Sequence, residues 1–202
     1  MPLTPDVSAR LIRSVAQAHP DLPPGLIAAV MREIESAARP LMVSAHGPGT
    51  EAFARGRFGF RSRIAVVADA RAAVVSARAG ARAVVAIEAR DPWWARLLAE
   101  PQLSVIGDDL TGDALRPSLF VVARQWCEPS GDDHTWWISD APGATATEQA
   151  LSELGLAACH ALAVGGMGLY RIDGFVQRDD ERLSRAPGRL TGVIGAVPST
   201  PA

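Results

Sequence analysis

The chain contains no lysine and no asparagine, so all 20 of its basic side chains are arginine. That excludes Schiff-base chemistry, amine nucleophiles and a lysine general base. An anionic ligand must be held by guanidinium forks or by backbone N–H groups. Cysteine is nearly as scarce: Cys127 and Cys159 stand far apart with no second pair, which excludes a disulfide framework and a zinc ribbon. No apolar run reaches the ~20 residues needed to cross a bilayer, and residues 1–10 lack the basic-then-apolar pattern of a secretory leader. A formal charge of -2 excludes the basic footprint of a general nucleic-acid binder. The expectation is a soluble, cytoplasmic protein with no nucleic-acid or membrane partner, no cofactor and no metal site. What is present is apolar mass: 48% hydrophobic residues over 202 positions suffice for a packed core in one ordinary domain or two to three small ones.

Residues 6–19 carry Val7, Leu11, Ile12 and Val15 at helical spacing, and 24–39 carry Leu26, Ile27, Val30, Met31 and Ile34. Residues 19–24 (HPDLPP) separate them, with Pro24 placed to open the second helix. This predicts a helical hairpin whose uncovered apolar face packs on something else. From residue 40 the period changes. Short apolar, mostly β-branched runs at 41–45, 64–68, 83–87, 103–106 and 119–123 alternate with helical stretches around 51–57, 69–79 and 92–99. The alternation predicts an α/β layer with a largely parallel sheet. Residues 128–133 (EPSGDD) read as a domain linker. After it, strands at 134–139, 157–164, 169–176 and 190–197 enclose helices at 144–154 and 179–185, the βαββαβ order of a ferredoxin-like unit.

Residues 46–50 (HGPGT) follow a strand and precede a helix, so their backbone N–H groups suit a carboxylate or phosphate. The run lacks the lysine and spacing of a P-loop, and taken alone it reads first as a purely structural turn. Asp132, Asp133, His134 and Cys127 lack metal-ligand spacing and read as a polar linker. Trp136 and Trp137, adjacent on a strand, are expected to divide between core and an interface. Cys159 and His160 diverge for the same reason and form no dyad.

VSAHGPGTEAFARGRFG resembles the opening of prephenate dehydratase domains, where a strand enters a G-P-x-G-[ST] turn and then a helix bearing phenylalanine. VVADARAAVVSARAGARAVVAIEARD is similar to the family's helix that leads through Gly-Ala into a strand ending in P-I-E-N-S. On that resemblance Glu88 takes the place of the motif's glutamate, while Ala89 and Arg90 replace its asparagine and serine. The catalytic T-R-F motif falls on Ser118, Leu119 and Phe120, which keeps a hydroxyl and loses the arginine. The interval from Glu88 to Ser118 is too short for the family's second lobe. AVMREIESAARPLM resembles the helix before a fused dehydratase in chorismate mutases, keeping Arg32, Glu33 and Arg39 but lacking the first long helix. The final unit resembles ACT domains, with DAPG at 140–143 in the place of their P-G turn; the E-S-R-P effector motif, which would fall near 162–165, is absent.

The resemblance implies three units: a hairpin (1–39), a reduced prephenate-dehydratase-like α/β domain (40–127) and an ACT-like domain (134–202). It implies catalytic roles for Glu88, Ser118 and Arg32, ligand contacts from His46, Gly47, Gly49 and Thr50, a small carboxylated or aromatic ligand, and a homodimer. Three functions stay open: a degenerate family member that binds a ligand or regulates, an active mutase or dehydratase with its site completed across a dimer, and an interaction module without ligand. The enzyme requires arginines converging on Thr50, Glu88 and Ser118, with Arg55, Arg57, Arg90 and Arg116 as the candidates.

Overall fold

The hairpin forms where proline opens each arm. In α1 (Pro5–Ala18) and α2 (Pro24–Ala38) the N–H that proline lacks is one the first helical turn leaves unbonded anyway. Ile12, Ile27 and Ala28 are buried between the arms, with Val15, Ala16 and Met31 packed around them. So small a seam needs other fastening. The Arg13 guanidinium donates to the carbonyls of Ser130 (2.5 Å) and Ser199 (3.3 Å), and Arg10 donates to that of Pro129. The computed structural model describes residues 4–110 and 114–199.

The strands are β1 (Met42–His46), β2 (Arg63–Val66), β3 (Arg82–Ala86), β4 (Ser104–Asp108), β5 (Leu119–Ala123), β6 (Asp133–Ser139), β7 (Ala158–Val164), β8 (Met167–Asp173) and β9 (Thr191–Pro198). Among the described residues they form one sheet in the order β2-β1-β3-β5-β4-β9-β6-β8-β7. The sheet is mixed rather than largely parallel. β1 is parallel to β2 and β3, but β5 lies antiparallel between β3 and β4. No helix among the described residues separates β4 from β5, so the chain returns antiparallel instead of crossing over.

Alternation along the strands divides the core. Val43, Val84, Ile106, Leu119 and Val121 face α3 (Thr50–Phe58), while Ala83, Val85, Val105, Phe120 and Val122 face α4 (Ala70–Arg78) and a 3-10 segment, Trp93–Ala99. That segment and Glu181–Arg185 are 3-10 turns where the sequence suggests helices; neither is long enough to repay α-helical nucleation. Trp136 and Trp137 point to opposite faces, and both are completely buried, one against Phe120 and the other against Tyr170. Trp137 thus belongs to a second core rather than to an interface.

The two halves of the sheet meet where β4 runs parallel to β9 at Val105 and Gly195. A Cβ at residue 195 would lie 2.1 Å from the Val105 carbonyl oxygen, so only glycine permits the approach. Beyond this junction β9, β6, β8 and β7 are neighbours in that order, all antiparallel, with α5 (Ala144–Glu153) connecting β6 to β7. Arg178 stitches the halves together: its guanidinium donates to the carbonyls of Pro101, Leu103 and Val193 and lies 3.8 Å over the Trp126 ring. No helix among the described residues is long and apolar enough to cross a membrane.

Candidate functional site

β1, β3 and β4 point the same way, because β3 is parallel to β1 and β5 is antiparallel to both β3 and β4. Their carboxyl ends and the start of β5 form one rim, the place where open α/β sheets receive ligands. Six sequence-predicted residues fall there: His46 at the end of β1, Gly47, Gly49 and Thr50 in the turn into α3, Glu88 just beyond β3, and Ser118 just before β5. The ladder ties Ser118 to the residue before Glu88, since the Ile87 N–H donates to the Ser118 carbonyl at 2.8 Å.

The turn after β1 owes its shape to glycine. Gly47 adopts φ 94°, and a Cβ there would lie 2.4 Å from that of Ala86, so the loop presses on the end of β3. Thr50 donates its hydroxyl to the Gly47 carbonyl at 2.8 Å, which closes the turn from within. Gly49 precedes α3 and gives it no side-chain cap. The uncapped N–H groups open on a shallow depression lined by Gly47, Gly49, Thr50, Glu51, Arg55 and Val66. Glu51 answers the helix dipole from inside the first turn, and Arg55 is paired to it at 2.7 Å.

His46 is fixed by its Nδ1, which donates to the Val67 carbonyl at 3.2 Å, and this leaves Nε2 facing Glu88 Oε1 at 3.6 Å. Ser118 is tied to Asp109, a residue the sequence reading did not single out. The serine hydroxyl donates to Asp109 Oδ2, and the Ser118 N–H donates to Oδ1 at 2.8 Å. Leu119 is buried against the α3 side of the core. Phe120 is buried on the other side, edge-on to Trp93 and Trp136.

A second polar knot was equally invisible in the sequence. Asp108, at the end of β4, accepts from His134 Nε2 at 2.7 Å and from the Trp136 indole N–H at 2.9 Å through one oxygen, and from the Leu110 N–H at 3.1 Å through the other. His134 therefore locks strands together, and Asp133 serves as a turn clamp that accepts from the Ser130 and Gly131 N–H groups. Among the described residues no group of three His, Cys, Asp or Glu is placed to hold a metal ion.

Of the four candidate arginines, only Arg55 lines the depression at the rim. Arg55 is engaged with Glu51, and Arg90 and Arg116 are exposed. Arg32 and Arg57 lie elsewhere, on the wall of a cavity beneath the hairpin.

An open mixed sheet with a glycine turn after β1, a glutamate after β3 and a hydroxyl before β5 at one rim defines an α/β protein that gathers polar groups at its strand ends. Among solved structures, the chain is similar to GqqA, described as a novel type of quorum quenching acylase, with 19% identity, a TM-score of 0.54, and coverage of 79% of this chain and 96% of that one. It is also similar to a prephenate dehydratase from Arthrobacter aurescens in complex with L-Phe, with 14% identity, a TM-score of 0.52, and coverage of 80% and 92%. At such identities the likeness is one of fold: this is a prephenate-dehydratase-like fold. No protein-family model matches the chain, and no curated protein does.

Proposed function

We propose that the chain is a reduced relative of the chorismate mutase and prephenate dehydratase enzymes of aromatic amino acid metabolism. It binds a small carboxylated or aromatic ligand, or serves as a regulatory subunit, without turning its ligand over. The observation that carries this reading is Leu119. Dehydration coupled to decarboxylation needs a proton for the departing hydroxyl and a cation for the carboxylate that stays; here the position that resembles the catalytic arginine is buried hydrocarbon. The hydroxyl beside it is already engaged by Asp109.

The unit after residue 133 supports an ACT-like, ferredoxin-like reading, because its strands neighbour one another as β9-β6-β8-β7. The three units 1–39, 40–127 and 134–202 belong to the same proposal, as does a homodimer. An acylase like the one GqqA is described as would use a nucleophile activated by a base. Ser118 is held by a carboxylate, and His46 faces another, so the described residues offer no serine–imidazole pair.

The test is to incubate the purified chain separately with chorismate and prephenate, and to follow substrate loss and product by chromatography together with the melting temperature. No turnover with a raised melting temperature is expected. Turnover abolished by Arg32→Ala, Glu88→Gln or Ser118→Ala would instead restore an active enzyme with its site completed across a dimer. Silence in both readouts would leave an interaction module.

A further inference from the structure

The hairpin does not sit flush on the sheet. Between them lies a cavity of about 340 Å³, within the range of small-molecule sites. Its floor is the sheet face at Ile106 and Val121, and its roof is formed by Ile12, Ala28 and Met31 of the hairpin. Four arginines line it: Arg32 of α2, Arg39 just after α2 and exposed at the edge, Arg57 of α3 and Arg82 of β3. Arg82 is satisfied by the Gln125 side-chain carbonyl. Arg32 and Arg57 have no hydrogen-bond or ion-pair partner among the described residues, and they repel each other. Burial, and then the charge of Arg32, push the Arg57 pKa below its ordinary value. Glu35 on the same wall accepts the Ser8 hydroxyl at 3.1 Å.

A desolvated guanidinium beside a like charge costs stability, and a leucine at position 57 would fill hydrocarbon space without that cost. A chain that keeps guanidiniums there has reserved them for an anion. With four guanidiniums and the one carboxylate of Glu35 the wall is net positive, Arg32 and Arg57 are the two inner guanidiniums that one carboxylate could bridge, and the remaining wall is largely apolar. We infer that this cavity binds an apolar monocarboxylic acid, an aryl or short acyl acid whose carboxylate bridges Arg32 and Arg57 while its hydrocarbon body lies against Met31, Phe58 and Val121. The inference rests on the ligand-binding reading above and gives it a site and a ligand class. The site is separate from the strand-end rim.

Calorimetric titration with phenylacetate and with hexanoate, each beside its neutral amide, tests it. At least one acid should bind, with its amide weaker by roughly tenfold or more, since the charge-assisted fork is lost. Arg57→Leu should abolish that preference and also raise the melting temperature of the ligand-free chain, a combination that a merely structural arginine would not give. Arg57→Gln, which keeps polarity and removes the charge, guards against a fold defect and should lose binding too. Equal affinity for acid and amide overturns the inference, as does absence of binding by both acids. Acid binding that survives Arg57→Leu but disappears with His46→Ala also overturns it, while leaving the ligand-binding function intact at the rim. Turnover of prephenate or chorismate would instead remove the binding function itself.

Discussion

The strand-end rim and the cavity beneath the hairpin are both polar places in an apolar protein, and they treat polarity in opposite ways. At the rim the groups are matched: Thr50 with the Gly47 carbonyl, Arg55 with Glu51, Ser118 with Asp109, and Asp108 with His134 and Trp136. In the cavity Arg32 and Arg57 feel each other's charge, share the wall with the single carboxylate of Glu35, and have no hydrogen-bond or ion-pair partner among the described residues. Matched groups hold a fold together, and unmatched ones in a desolvated space are held for a ligand. On the proposed reading the rim is the outline of a catalytic site whose polar atoms now serve the fold, and the cavity is where a ligand binds.

The comparison breaks most readily at Asp108. If the rim's polar groups are structural, Asp108→Ala should cost about 3–5 kcal/mol in chemical denaturation, because it strands His134 and an indole N–H in the interior. A loss under about 1 kcal/mol would show that the knot bears little of the fold. Gly47→Ala should cost about 1–3 kcal/mol through positive φ and the collision with Ala86, without changing the affinity of the cavity for an acid. A linked loss of affinity would join the two regions into one site.

The smallest effect concerns pH. Backbone N–H groups of Leu190 and Arg189 hold the Asp140 pKa below the usual aspartate value of about 3.9. A depressed carboxylate contributes stability that is present above that value and lost as pH falls through the folded pKa. Asp140→Asn should therefore flatten the acid limb of the stability curve below about pH 4. An unchanged limb would mean that this clamp adds nothing.

Much of the fold was legible because strands here are short β-branched runs and helices open at proline, beside glycine or, in α4, at the capping Asp69. The segment 119–123 matches β5 residue for residue. Strand direction was not legible, since alternation of elements does not reveal that β5 returns antiparallel between β3 and β4. Gly195 could be noticed only once β4 and β9 were adjacent. At the rim, the glycine turn and the residues around it could be grouped from local pattern and resemblance. Their partners could not: Asp108 reaches His134 across β9, and Asp109 reaches Ser118 across a strand return. Arg57 was a reasonable candidate for the rim by nearness in sequence to Thr50. Seven residues along a helix, however, carry it roughly 10 Å away, toward the hairpin.

The most direct measurement is a crystal structure of the chain with phenylacetate bound. The account predicts the carboxylate between Arg32 and Arg57 beneath the hairpin, with the ring against Phe58 and Val121 and the rim's hydrogen bonds unchanged. A carboxylate seated instead at His46 and the N-terminus of α3, with the cavity empty, would contradict it.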